Sequence, residues 1–368
     1  MASVFICIPC LLTGGTEIQT LSLVKALVQA KHCVTTVCYF EYSEQMVLRY
    51  REAGSEVICL SKDGERPYGV WRTFVFLWKG LKHCVKTYKP DIAHVQYMAP
   101  GAIPIVILRL LGVKKILATA HTMADIYPDL RTIHFLQRHI LTAFICITLT
   151  AEKSFFGTSQ LYSKNLQLKK RGNHFTIYNC LPENINIKKE PKQFGETITI
   201  GVVSRLEKIK GMDLVVPAFI QIHQNQPNTR LLVVGDGSLR QMMEQEARGI
   251  SNITFLGRQP QEKLHEIYDQ IDILLMPSRS EGFGLTALEG MARGCIVVAS
   301  DVGGLPEIIG KFGIICKSSA PSDYAQSISL FLTDQRGLKI YSSLGMERAR
   351  AFSMISFQEI ISSFYHSI

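Results

Sequence analysis

Two glutamates flanking a glycine-containing loop carry the strongest chemical signal in the chain: Glu281-Gly-Phe-Gly-Leu-Thr-Ala-Leu-Glu289. An apolar run, 273–277, enters this loop and a helical stretch, 286–293, leaves it. Glycine lets a backbone approach a ligand closely, and a helix start offers unpaired N–H groups to an anion. Two carboxylates beside an anion site make chemical sense if they accept from hydroxyls, which a sugar or a ribose supplies. A structural role competes for Glu289, because Thr286-x-x-Glu289 is also the spacing of a capping box. Arg205 and Lys210, in Ser204-Arg-Leu-Glu-Lys-Ile-Lys-Gly211, follow another apolar run and precede a helix. Cations placed there can neutralise a diphosphate, and an ordinary solvated loop competes with that reading.

Weaker signals occupy equivalent places. Gly14-Gly15-Thr16-Glu17 lies between a strand and a helix, Gly235-Asp-Gly237 follows a strand, and His121 closes Ala118-Thr-Ala-His121. A lone Gly-Gly is weak evidence, and a lone His more often packs than reacts. No G-x-G-x-x-G follows the first strand, which argues against a nicotinamide enzyme. There is also no Walker loop, no H-E-x-x-H, and no D-x-D pair to hold a divalent cation.

The elements that must position these residues alternate strand and helix. Strands are expected over 4–9, 34–39, 56–60, 92–95, 116–120 and 143–148, with helices over 17–31, 46–53 and 70–88. A polar stretch, 182–196, reads as a linker. A second series then follows, with strands over 198–203, 230–234, 253–255, 273–276, 296–299 and 313–315, and helices over 213–225, 239–246, 264–268 and 286–293. Near-continuous apolar strands alternating with helices indicate an α/β protein built on parallel, doubly wound sheets. Two Rossmann-like domains are expected, 1–185 and 186–350. Ligands on such sheets bind outside the carboxyl ends of the strands, so two facing sheets would hold theirs in a cleft.

The 368 residues suit about two domains, and 47% hydrophobic with 19% charged residues excludes a disordered chain. A mean hydropathy of +0.13 calls for a search for membrane spans. The apolar stretches 99–111, broken by Pro104 and Arg109, and 140–151 both fall short of one. The first residues have no Lys or Arg ahead of their apolar run, so they read as a buried strand and not as a secretion signal. A cytoplasmic protein, or one peripheral on the inner face of the membrane, is expected. The ten cysteines lie mostly in apolar runs, among them Cys7, Cys38, Cys59, Cys146 and Cys316, and read as core residues. Cys7-Ile-Pro-Cys10 has redox spacing but ends a strand where a redox pair opens a helix.

The net charge of +9 is confined to the first half. Residues 1–185 hold 21 Lys and Arg against 12 Asp and Glu, whereas 186–368 hold 19 of each. Lys79, Lys82, Lys86 and Lys89 would share one helix face, and Lys164, Lys169, Lys170 and Arg171 form a second cluster. Such surfaces suit an anionic membrane as well as they suit plain solvation. Nucleic acid is not expected, since no binding module accompanies the charge.

Taken together, Arg205…Lys210, Gly235-Asp-Gly237, Glu281-x7-Glu289 and Gly303-Gly-Leu-Pro-Glu307 come in the order and spacing of retaining glycosyltransferases of the GT-B fold. The chain resembles family 4 of these enzymes along essentially its whole length, most closely over 277–309. Gly14-Gly15, Pro90-Asp-Ile-Ala-His94 and His121 extend the likeness into the first half. The resemblance implies that Arg205 and Lys210 hold the diphosphate of a nucleotide-sugar, with UDP favoured as the nucleotide. It implies that Glu289 accepts from the ribose, Glu281 from the donor sugar, and that backbone at Phe283, Gly284 and Leu285 touches sugar and phosphate. Gly14, Gly15 and Gly235 would line the donor site, and His121 would contact the transferring sugar. Transfer with retention to a saccharide or lipid-linked acceptor, in surface polysaccharide synthesis and without a metal or other cofactor, is the implied reaction. A UDP-sugar epimerase or a non-catalytic nucleotide-sugar-binding protein are the alternatives. The last segment, 351–368, is expected to pack back on the first domain. Thr286 and Gly290 depart from the family pattern, so the sugar preference is not read.

Overall fold

The computed structural model describes residues 1–96, 102–127, 129–317 and 320–368. The chain divides into two compact units, Met1–Cys180 with Met354–Ile368, and Leu181–Ser353.

The first unit contains β1 (Ser3–Ile8), α1 (Gly15–Gln29), β2 (Cys33–Cys38), α2 (Glu44–Glu52), β3 (Glu56–Cys59) and α3 (Val70–Tyr88). It continues with β4 (Ile92–Gln96), α4 (Ala102–Leu110), β5 (Lys115–Ala120), α5 (Leu130–His139), β6 (Ala143–Cys146), α6 (Leu149–Phe156) and β7 (Asn173–Thr176). The strands form one parallel sheet in the order β3-β2-β1-β4-β5-β6-β7. Alternate residues of β1 serve the two faces: Val4, Ile6 and Ile8 pack with α1, while Phe5 and Cys7 pack with α3 and α4. Both faces are covered, so the strand reads as a continuous apolar run.

The second unit contains β8 (Ile198–Val203), α7 (Val215–Asn225), β9 (Thr229–Val234), α8 (Arg240–Glu246), β10 (Ile253–Gly257), α9 (Leu264–Gln270) and β11 (Ile273–Met276). Then come α10 (Leu285–Ala292), β12 (Ile296–Ser300), α11 (Leu305–Ile309), β13 (Ile314–Cys316), α12 (Pro321–Leu332) and α13 (Gln335–Arg350). Its parallel sheet runs β10-β9-β8-β11-β12-β13. Two Rossmann-like, doubly wound sheets are thus present, as the strand–helix alternation requires.

α14 (Met354–Ser367) belongs to the first unit and lies along α1. Phe364 is wholly buried against Tyr162 and Phe175, with ring centroids 5.3 and 5.2 Å away. Tyr365, beside it, donates or accepts across 2.7 Å to His94 Nδ1.

Several local expectations change. The polar stretch 182–196 has no helix or strand but is strapped to the second unit. Asn184 Nδ2 donates to the Gln261 carbonyl (2.9 Å), Lys188 N to Ala292 O (2.9 Å), and Lys192 N to Ser342 Oγ (3.0 Å). The Lys192 ammonium is buried under the Tyr268 and Ile271 carbonyls, 3.7 Å from Asp272. The strand expected to reach 148 stops at Cys146, because the Thr148 hydroxyl accepts from Ala151 N (3.0 Å) and caps α6. Pro104 does not break the apolar stretch 99–111, part of which (99–101) lies outside the described residues. It sits in the first turn of α4, where its missing N–H has no partner to lose. Among the described residues no helix is long and apolar enough to cross a membrane.

None of the ten cysteines is in a disulfide. Burial pushes the Cys7 and Cys10 thiols up to about 12, and Cys10 Sγ lies 3.2 Å from Glu17 Oε1. The protonated Cys7 thiol, in apolar surroundings, is a packing group, and the partly buried Cys10 thiol donates to Glu17.

Candidate functional site

In the second sheet the chain leaves β8 in one direction, through β9 and β10, and returns to place β11 on the other side of β8. The crevice between β8 and β11 is therefore the topological switch point, where open α/β sheets bind ligands. The loops that leave these two strands carry Arg205 and Lys210, and Glu281 to Gly284, respectively. Lys210 Nζ lies 2.6 Å from Glu281 Oε2, so this ion pair straddles the switch point. Both side chains are partly exposed. Arg205 is exposed, and among the described residues no carboxylate is ion-paired with it.

Two close backbone approaches hold this edge together. Gly211 has φ +68°, and a Cβ there would collide with the Pro277 carbonyl oxygen. Gly303, at φ +55°, likewise leaves no room for a Cβ against the Glu281 carbonyl, which accepts from Gly304 N at 3.1 Å. The β8, β11 and β12 loops are thereby stacked against one another, and only glycine permits both contacts.

Side chains complete the stitching. Arg279 forks onto Asp213 (2.6 and 2.8 Å), and its Nη1 also donates to Lys208 O at 2.6 Å. The Arg279 pairing holds the Asp213 carboxyl below its ordinary range. Glu207 accepts from Ser238 N (3.0 Å) and Ser238 Oγ (2.6 Å), which ties in the loop after β9. Gly235 opens that loop, its N–H donating to Gly257 O (2.9 Å). Replacing Asp213 by Ala is expected to cost about 1 kcal/mol of stability, since the pair is partly exposed, and to weaken binding at Lys210 by loosening residues 208–210. Urea unfolding and ligand titration measure the two effects separately.

Gly284, at φ +99°, is the N-cap of α10, and Leu285 begins the helix. Phe283 is buried, 6.0 Å from Phe352 in an edge-to-face pair, and fixes the course of the loop. The capping-box alternative for Glu289 does not hold. No side chain caps α10, Thr286 is already inside the helix, and Glu289 instead accepts from Tyr268 OH at 2.6 Å. Burial raises the Glu289 carboxyl to about 7, with the tyrosine bond opposing the shift.

That shift has a measurable sign. An unfolded glutamate ionises near 4.5, so between 4.5 and 7 the folded state holds a proton that the unfolded state has lost. The stability tied to that proton is full below 4.5 and lost as pH rises through 7, at most about 3 kcal/mol. Glu289→Gln carries no such dependence. Its Tm is expected to gain on the wild type from pH 4.5 to about 7 and then level off, and a constant difference across that range would contradict the shift.

The remaining candidates belong to the first unit. Gly14 is the extended N-cap of α1 and Gly15 its first residue, at the carboxyl end of β1. His121 follows β5 and is buried, its Nε2 2.9 Å from Gln96 Oε1. His94 bridges Tyr365 OH and Thr119 Oγ1, each at 2.7 Å. Burial lowers both imidazoles to about 3, so they are neutral at neutral pH. They line a cavity of about 30 Å³, room for one water.

Sequence reasoning missed Arg279, Asp213 and Tyr268. Arg279 had a visible signal, a cation immediately ahead of the glycine loop. Tyr268 had none, because no spacing rule relates residues 21 positions apart on separate helices.

The chain matches two family models: "Glycosyltransferase Family 4" over residues 13–152 and "Glycosyl transferases group 1" over residues 183–348. Curated relatives include a D-inositol 3-phosphate glycosyltransferase of Segniliparus rotundus, 26% identical across 74% of this chain and 66% of that protein. The N-acetyl-alpha-D-glucosaminyl L-malate synthase of Bacillus anthracis is 28% identical across 74% and 73%. The matches thus span about two thirds to three quarters of these relatives' length. Among solved structures, Anabaena Alr3699/HepE in complex with UDP and glucose has a TM-score of 0.78 over 100% of both chains at 16% identity, a likeness of fold.

Proposed function

We propose that this chain, which belongs to the family 4 glycosyltransferases of the GT-B fold, moves a sugar from a nucleotide-diphosphate sugar to an acceptor hydroxyl with retention of configuration. The observation that carries the reading is the Lys210–Glu281 pair across the β8–β11 switch point, with the exposed Arg205 on the same loop as Lys210. A diphosphate entering there meets two cations, and its arrival frees Glu281 from Lys210 to accept from hydroxyls of the donor sugar.

As the sugar–phosphate bond breaks, negative charge grows on the leaving diphosphate, and fixed cations stabilise that charge more than they stabilise the ground state. Arg205 and Lys210 supply the neutralisation that a metal ion supplies elsewhere, so turnover is proposed to be insensitive to chelators. Glu289, held by Tyr268, accepts from the ribose hydroxyls, and the Phe283–Gly284–Leu285 backbone at the start of α10 meets the sugar and phosphate. Gly235 lines the same edge. Gly14 and Gly15 are proposed to touch the donor phosphates, and His121 the transferring sugar. No protein nucleophile is assigned. The leaving phosphate itself takes the acceptor proton, which keeps the new bond on the face of the old one.

UDP is proposed as the nucleotide, supported by the neighbour crystallised with UDP and glucose. The acceptor is a saccharide or lipid-linked saccharide of a surface polysaccharide, met on the inner face of a membrane. A panel of nucleotide-sugars tests the reading: the true donor stabilises the protein, by about 2.7 kcal/mol at 100 times its dissociation constant. It should also release nucleoside diphosphate only when an acceptor is added, with an α-linked product by proton NMR. Inverted product, or turnover abolished by a chelator, overturns the mechanism.

A further inference from the structure

α3 carries an aromatic ridge on the first unit that is only partly covered, Trp71 standing exposed while Phe74 and Trp78 are half-buried against the core. Its inner face is closed by Leu77, Leu81 and Cys84, which are buried against the sheet and α4. At its start Tyr68, Val70 and Trp71 stand 91%, 76% and 75% exposed. Trp71, Phe74 and Trp78 stack in succession, with centroids 5.9 and 6.0 Å apart and planes within 20°. At 100° per residue, Lys82, Lys86 and Lys79 continue alongside this ridge, and all three are exposed, as is Lys89 at the left-handed C-cap. α3 contains no Asp or Glu.

The topology orients this helix. β3 and β4 are parallel members of one sheet, so α3, which connects them, begins at the carboxyl edge and ends at the amino edge. The aromatic end therefore lies on the edge where Gly15 and His121 stand. The lysines run toward the opposite edge, where a basic hollow of about 560 Å³ opens between Lys115 and Arg171.

From these observations we propose that the outer face of α3 docks on an anionic phospholipid bilayer, with Trp71 and Trp78 at the level of the headgroups and the lysine row on the lipid phosphates. Indole rings favour that boundary, being apolar with one polar N–H, and each lysine near the surface adds to the attraction. A second copy of the chain is a poor occupant, because its α3 would bring more exposed lysines and no carboxylate to pair with them. A single-stranded nucleic acid is also disfavoured, since the rings stack on each other and leave no gap for bases. The inference rests on that part of the reading above which places the acceptor at a membrane, and it assigns the surface responsible.

The chain provides its own probe. Its only two tryptophans are Trp71 and Trp78, so indole emission reports on α3 alone. With phosphatidylglycerol–phosphatidylcholine vesicles at low salt, emission should shift to the blue and be quenched by bromine on the upper acyl chain. Pure phosphatidylcholine should give little change, and high salt should reverse the binding. Each lysine is expected to contribute about fivefold to partitioning, so Lys82→Glu/Lys86→Glu should weaken sedimentation with vesicles by about 25-fold or more, at unchanged Tm. Emission indifferent to anionic vesicles, concentration-dependent dimerisation that shifts emission without lipid, or a shift on adding single-stranded DNA in place of lipid would each overturn the proposal. None of these readouts needs turnover. A failed donor panel with intact vesicle binding removes the transfer reading alone, and the reverse removes only the membrane surface.

Discussion

Arg205→Ala and Lys210→Ala proteins should fold with the wild-type Tm within a few degrees and lose about 10²–10³ in kcat each. That loss corresponds to about 3–4 kcal/mol of transition-state stabilisation, the range found when one preorganised charge-stabilising group is removed. The two variants should differ in the unliganded protein. Arg205 is exposed, and no ion pair within 4 Å among the described residues holds it, so its removal gives up only its attraction to the nearby Glu207 carboxylate. Removing Lys210 leaves Glu281, which is only 17% exposed, without the cation 2.6 Å away. Lys210→Ala should therefore also perturb binding of the sugar, seen as a raised KM, whereas Arg205→Ala should act mainly on kcat. Lys210→Arg tests position against charge, since a guanidinium restores the charge in another shape. Normal turnover in either alanine variant would remove the diphosphate site from this edge.

Phe364→Ala should be the most damaging change outside the site, at about 3–5 kcal/mol. The ring is wholly buried and contacts Tyr162, Phe175 and Tyr365, so the cavity left behind has rigid aromatic walls that collapse poorly. The cost should fall on the first unit. Tryptophan emission, which arises only there, should show a lowered urea midpoint, while the nucleotide binding proposed for the second unit should persist. A loss under about 1 kcal/mol would mean that α14 contributes little to the first unit's core.

Much of both sheets was legible because buried, near-continuous apolar runs alternating with helical stretches leave plain marks. Residues 198–203 and 273–276 are strands with the expected bounds, and 70–88 is a helix over its expected length. What escaped depended on tertiary partners. α4 and α6 were hidden inside apolar stretches that composition could not divide, and only the Thr148 cap separates β6 from α6. α12 and α13 carry no chemistry and little contrast, and neither was anticipated. In the site, residue types located Lys210 and Glu281, but nothing in their 71-residue separation said that they touch. Glu289 was read with a local partner, Thr286, and found a distant one, Tyr268, because a helix that begins at Leu285 turns the carboxylate inward.

Because α14 completes the first unit, that unit is discontinuous along the chain, with the whole of the second unit inserted before its last helix. During synthesis, at about 5–20 residues per second, roughly 10–40 s separate the emergence of Cys180 from that of the closing helix. Throughout that interval the apolar flank of α1 that α14 will cover, near Leu23 and Ala26, stays bare on the nascent polypeptide. The second unit can mature on the ribosome first, reversing the usual amino-to-carboxyl order. Chaperone demand should accordingly concentrate on the half of the protein that is translated earliest.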